Sequence, residues 1–88
     1  MDIDHDTCTV RVRGELDPQT APTLVEAARE SCRPMVVDLA GTTFIDAGGL
    51  GALVRIQPNR LANVSDRLRR VFVAGGLDSM LPPVPAQA

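Results

Sequence analysis

Lysine, tryptophan and tyrosine are missing from this chain of 88 residues, and only two phenylalanines and one histidine are present. Without lysine there is no Schiff-base chemistry and no phosphate loop of the Walker type, whose lysine reaches the phosphates. Without aromatic platforms there is no surface on which nucleobases could stack. A formal charge of -2 adds no electrostatic reason to bind a phosphate backbone, so nucleic-acid binding is not expected. The core must be aliphatic, because 44% of the residues are hydrophobic and only 2% aromatic.

Long apolar runs are also lacking. No stretch approaches the ~20 apolar residues of a membrane span, and no N-terminal segment pairs a positive flank with an apolar core of signal-peptide length. Direct membrane insertion is therefore not expected, and a cytoplasmic protein is. Cys8 and Cys32 form no C-x-x-C pattern and have no histidine at metal spacing, so two reduced, partly buried small hydrophobes are expected, with a disulfide as the alternative. His5 is a lone imidazole without a nucleophile to serve. No cofactor, metal or catalytic residue is expected from such a set.

A chain of this length makes one small domain that buries about 60 to 65% of the surface its unfolded form exposes. In Cys8-Thr-Val-Arg-Val-Arg13, Cys8, Val10 and Val12 alternate with Thr9, Arg11 and Arg13, the pattern of a strand wet on one face. A short antiparallel strand over Met1 to Asp4 would precede it, with a turn at His5-Asp6, and Gly14 to Pro18 would end it. Thr20 is placed to cap a helix and Pro22 suits a first turn. Ala21, Leu24, Val25, Ala28 and Cys32 form its apolar stripe, and Arg33-Pro34 stops it.

Met35 to Leu39 reads as a central strand reached by this helical crossover, and so as parallel to its neighbour. Asp46-Ala-Gly-Gly is then a turn opening onto a helix that carries Leu50, Leu53 and Val54 on one face and stops at Pro58. Ser65 would cap a last helix over Leu68, Val71 and Phe72, halted by Gly75-Gly76. A strand over Arg70 to Ala74 is the rival there. Leu24, Val37, Leu39, Leu53 and Phe72 are the expected core. Residues 1–81 thus form the domain, and residues 82–88, rich in proline, read as a poorly ordered tail.

The run Asp38-Leu-Ala-Gly-Thr-Thr-Phe-Ile-Asp46, followed by Gly49-Leu-Gly51, resembles the signature of STAS domains, the family of bacterial anti-sigma factor antagonists. Arg13-Gly-Glu-Leu-Asp17, Thr20-Ala-Pro22, Leu68-Arg-Arg-Val-Phe72 and Gly76-Leu-Asp78 extend the resemblance along nearly the whole chain. It implies a small α/β domain, a mixed sheet of about four strands with helices packed on one face. One departure is length: between Gly51 and Arg69 the chain is shorter than the family by roughly two helical turns. Either the second helix is truncated, or Arg60-Leu-Ala-Asn63 is a vestigial strand.

The resemblance further implies a partner-switching protein. In its free form such a protein binds an anti-sigma factor that is also a serine kinase, and phosphorylation of one hydroxyl breaks the complex. The family loop reads Asp, two hydroxyl residues, then Gly-Leu, with the second hydroxyl as acceptor; here Ala47 and Gly48 stand at those places. The implied partner-binding loop is Asp46, Ala47, Gly48, Gly49, Leu50 and Gly51, with the acceptor position Gly48 lacking a hydroxyl.

Against that functional reading, Asp46 and its glycines suit a simple helix cap and tight turn. Thr42, Thr43 and Ser65 are weak substitutes as acceptors, since Thr43 precedes a buried-looking Phe44 and Ser65 serves as a cap. Arg67, Arg69 and Arg70 fit an ordinary solvated helix face. Two rivals to the antagonist come from other classes: a small cytoplasmic accessory subunit of a membrane transport system, and a non-switching ligand or nucleotide sensor.

Overall fold

Alternation of small aliphatic and charged residues builds the sheet of this protein, which a computed structural model describes over residues 1–81. The proline-rich segment 82–88 lies outside the described residues. Strand β1 (Asp2–Asp4) pairs antiparallel with β2 (Thr9–Leu16). Helix α1 (Ala21–Glu30) then carries the chain to β3 (Val36–Ile45), which lies parallel to β2. Helix α2 (Ala47–Ile56) leads to the three-residue β4 (Arg60–Ala62), parallel to β3, and α3 (Asp66–Ala74) follows. The sheet order is β1-β2-β3-β4: a small α/β domain with a mixed four-stranded sheet.

One face of the sheet is apolar and carries the helices. Val10, Val12, Val37 and Leu39 are buried there against Leu24 and Ala27 of α1, Leu50 and Leu53 of α2, and Leu68 and Phe72 of α3. All five core residues expected from the sequence are in this cluster. The opposite face holds charge: Arg13 pairs with Asp2 at 3.1 Å, and Arg11 lies 3.5 Å from Asp4 and 4.0 Å from Asp38. Such exposed pairs contribute little individually.

Both alternatives raised by the short middle of the chain hold together. Helix α2 has ten residues and ends where Gln57, at φ 49, takes a left-handed conformation before Pro58. The loop after α1 is fastened there by Arg33, whose guanidinium donates to the carbonyls of Ile56 (2.9 Å) and Gln57 (2.7 Å), the negative end of the helix. Asn59 exchanges bonds with Met35, accepting at Oδ1 and donating from its backbone, both at 2.8 Å. β4 is thereby placed directly beside the start of β3.

The helical reading of the last segment is also the one observed. Ser65 Oγ accepts from the Leu68 N–H at 3.2 Å. At the other end Gly76, at φ 74, lets Leu77 N–H reach the Phe72 carbonyl at 2.8 Å, while its own N–H reaches Val73 at 3.0 Å. That is the paired closure of a helix on a left-handed glycine, with Leu77 packed back on the core.

Several expectations need correction. β2 does not stop at Gly14; a register shift lets the strand pass through Gly14 (φ 76) to Leu16. β3 likewise runs on to Ile45. In α2 the large inward residues are Leu50, Leu53 and Ile56, with Ala52 buried between them, whereas Val54 is 45% exposed. Phe44 is not buried but 48% exposed; its neighbour Ile45 enters the core instead, and Thr42 is buried with its hydroxyl donating to the Val12 carbonyl at 2.9 Å. Thr20 occupies the position before α1 without capping it. Finally, Cys8 and Cys32 are not reduced: they form a disulfide closing a loop of 24 residues' separation. In the chain-entropy account such a loop contributes about 3 kcal/mol.

Leu39→Ala should cost about 2–5 kcal/mol, a large share of the stability of so small a domain, read as a lower denaturant midpoint. A second prediction concerns pH. Burial alone would raise the Asp38 carboxyl, but the Asn63 amide (3.0 Å), the Ala40 N–H (2.9 Å) and Arg11 together hold it below its ordinary value of 3.8. A depressed folded-state value means stability that is present above about pH 4 and is lost as pH falls through the lowered value. Asp38→Asn should flatten the acid limb of a plot of unfolding free energy against pH.

Candidate functional site

At the carboxyl ends of the parallel strands β2 and β3, two loops meet. The first follows β2 and is knotted by its own side chains. Asp17 Oδ1 accepts from Gln19 N–H (3.0 Å) and Thr20 N–H (3.1 Å), and Thr20 Oγ1 accepts from Asp17 N–H at 2.9 Å and lies 2.9 Å from the Glu15 carbonyl oxygen. Thr20 therefore braces the loop that Asp17 organises. Pro18 is held at its outer edge, exposed to solvent.

The second loop follows β3. Asp46 N–H donates to the Leu16 carbonyl at 3.2 Å, its Oδ1 accepts from Gly49 N–H at 3.0 Å, and its carbonyl accepts from Leu50 N–H at 2.9 Å. Asp46 is thus the N-cap of α2, in extended conformation, and the positive end of the helix faces outward beside it. This arrangement serves the capping reading fully.

The glycines in the loop differ sharply in what they permit. A Cβ on Gly49 would fall on the Leu16 carbonyl oxygen, with the Leu16 carbonyl carbon 2.9 Å away, so this position admits no side chain. On Gly48 it would come 2.9 Å from Pro18 Cγ and 3.3 Å from Asp46 Oδ1. Gly51, exposed on the first full turn of α2, has open space where its side chain would be.

Of the six residues singled out from the sequence, Ala47 and Gly51 are exposed, Asp46 and Gly48 are half-buried, and Gly49 and Leu50 are buried. The loop is consequently presented as a small-residue surface rather than a charged one. It adjoins a groove of about 530 Å³ between α1 and α2, bounded by Pro18, Ala21, Val25, Ala52 and Arg55. Sequence reasoning missed Pro18, Arg55 and the exposed Phe44. Pro18 was legible only as a strand breaker; nothing in its spacing shows that it packs on Gly48. Arg67 and Arg70 lie exposed on α3, and among the described residues no group of three acidic, histidine or cysteine side chains is placed to hold a metal ion. No helix there is long and apolar enough to cross a membrane.

A four-stranded mixed sheet, three helices on one face and a capped loop at the start of α2 define the class: a small α/β domain with the loops after β2 and β3 gathered at one end. The family described as "Mlab, STAS domain" matches residues 1–82, and the chain belongs to the STAS domain family. Domains of this family generally bind partner proteins. No curated protein matches the chain.

The glycines give a direct test of this geometry. Gly51→Ala should raise stability by about 0.5–1 kcal/mol, because it removes backbone freedom at a helical site with room for a methyl group. Gly49→Ala should lower it by about 1–3 kcal/mol or more, since α2 must move off β2. Thermal melts of the two variants should therefore shift in opposite directions.

Proposed function

We propose that this chain is an anti-sigma factor antagonist whose binding is not cancelled by phosphorylation in the α2 loop. The surface assigned to the partner, an anti-sigma factor of the serine kinase type, is Asp46 to Gly51 with the adjoining end of the α1–α2 groove. The observation that carries the reading is at position 48: Gly48 has no hydroxyl, and Pro18 occupies the space its side chain would need. A phosphoserine there would bring about -1.5 to -2 charges next to Asp46, enough to repel a partner or strain the loop. With neither acceptor nor room for one, the complex would depend on protein concentration alone.

The same observation favours a second reading, an accessory subunit of a membrane transport system. Such a subunit would use the identical surface and would need no phosphate switch. Catalysis has no place in either reading.

Isothermal titration against a candidate anti-sigma kinase tests the proposal. ATP should leave the affinity unchanged, and Gly51→Glu, which adds charge where no atom obstructs it, should weaken binding tenfold or more, about 1.4 kcal/mol, without unfolding the domain. Equal affinity for the two proteins, or transfer of phosphate to Thr43 or Ser65, would sink it. Gly48→Ser by itself should remain unphosphorylated; restoring an acceptor should take the double change Pro18→Ala, Gly48→Ser. Binding to a transporter subunit instead of the kinase would select the second reading.

A further inference from the structure

We propose that the Cys8–Cys32 bond is a reversible thiol–disulfide exchange site, and that its state sets how firmly the end of α1 is held to the sheet. Cys8 lies in the turn between β1 and β2 at φ 53, and Cys32 lies just past the end of α1. Their Cα atoms are 5.0 Å apart, within the ordinary span of a disulfide. Both residues are half-buried, outside the cluster of fully buried core side chains. Partly exposed disulfides are the ones open to exchange, whereas sealed ones resist it.

Two further observations show that the dithiol form is accommodated. Cys32 Sγ sits 3.4 Å from the His5 carbonyl oxygen, so a thiol proton would find an acceptor without any rearrangement. The contacts that register the sheet do not pass through the bond. Val36 N–H donates to the Cys8 carbonyl at 2.9 Å, Met35 N–H to Asn59 Oδ1 at 2.8 Å, and Arg33 holds the end of α2. Breaking the bond leaves β2, β3 and β4 joined. What loses its covalent anchor is the exit of α1, and with it the seam between Val25 and Ala28 on α1 and Arg55 and Ile56 on α2.

The chemistry requires a reductant with two thiols, small molecule or protein. One of its thiolates attacks a sulfur of the pair, the Cys8–Cys32 bond breaks, and a mixed disulfide forms. The reductant's second thiolate then displaces the protein thiolate. Two electrons and two protons end on Cys8 and Cys32, and the reductant leaves as its own disulfide. A small-molecule disulfide reverses each step. This inference does not rest on the partner assigned above, because its observations are the bond itself and the contacts around Cys8 and Cys32.

The test uses the native protein and dithiothreitol without denaturant, followed by alkylation, mass spectrometry, circular dichroism and amide hydrogen exchange. Both cysteines should be alkylated only after reduction, and the circular dichroism should stay that of the folded domain. Exchange should rise tenfold or more in residues 21–32 and stay unchanged in the strands 9–16 and 36–45. Oxidised glutathione, added in place of alkylation once the reductant has been removed, should restore the original pattern. The double variant Cys8→Ser, Cys32→Ser should show the reduced pattern and ignore dithiothreitol; if it fails to fold, the reduced, alkylated protein supplies the measurement. A bond that yields only in denaturant, a reduced protein that unfolds throughout, or an α1 whose exchange does not change would each overturn the proposal.

Discussion

The close approach of Gly49 to the Leu16 carbonyl group is the constraint around which the functional end of this domain is arranged. Because no Cβ intervenes, the first turn of α2 sits directly on the end of β2, and Asp46 can donate its N–H to the same carbonyl group that faces Gly49. With α2 seated at that depth, Leu50 and Leu53 reach the core, and Ala47 and Gly51 are left on the surface. The depth also brings Gly48 against Pro18, so the loop after β2 and the loop after β3 become one continuous surface. A single missing methyl group therefore determines the helix position, the core and the candidate binding loop together.

Much of the architecture was legible in the chain itself. Alternation through Val10 and Val12 marked the two faces of β2, the spacing of Leu68 and Phe72 behind Ser65 marked a helix, and the crossover marked a parallel sheet. Those signals are local, and local periodicity survives folding when one face is buried. What failed was judged by neighbours in sequence: Gly14 looked like a strand end, Val54 like a member of the face shared by Leu50 and Leu53, and Phe44 like a buried residue. Each depends on where a bulge or a helix turn points a side chain, which requires the packed partner to be known.

Two further features were beyond sequence reading for a different reason. Cys8 and Cys32 are brought together only because the parallel crossover returns the chain to the start of β2, a fact about topology that their spacing does not contain. Pro18 and Gly48 are likewise 30 residues apart and meet only because two strands end side by side. The candidate site was thus readable as a list of residues on α2, but its other wall, supplied by the loop before α1, was not.

Both outer strands of the sheet, β1 and β4, are only three residues long. An edge this short offers few free backbone groups for another chain to pair with, which is how natural sheets resist growing into one another. In this domain β3, the longest strand, pairs with β2 along most of its length, but β4 lies beside only residues 36–38, so residues 39–45 have a strand on one side alone among the described residues. Pairing by another chain along β1 or β4 themselves is thereby limited to a few backbone groups. The shortened middle of the chain, which reduces β4 to a remnant, has the same effect at one edge that the turn-bound β1 has at the other.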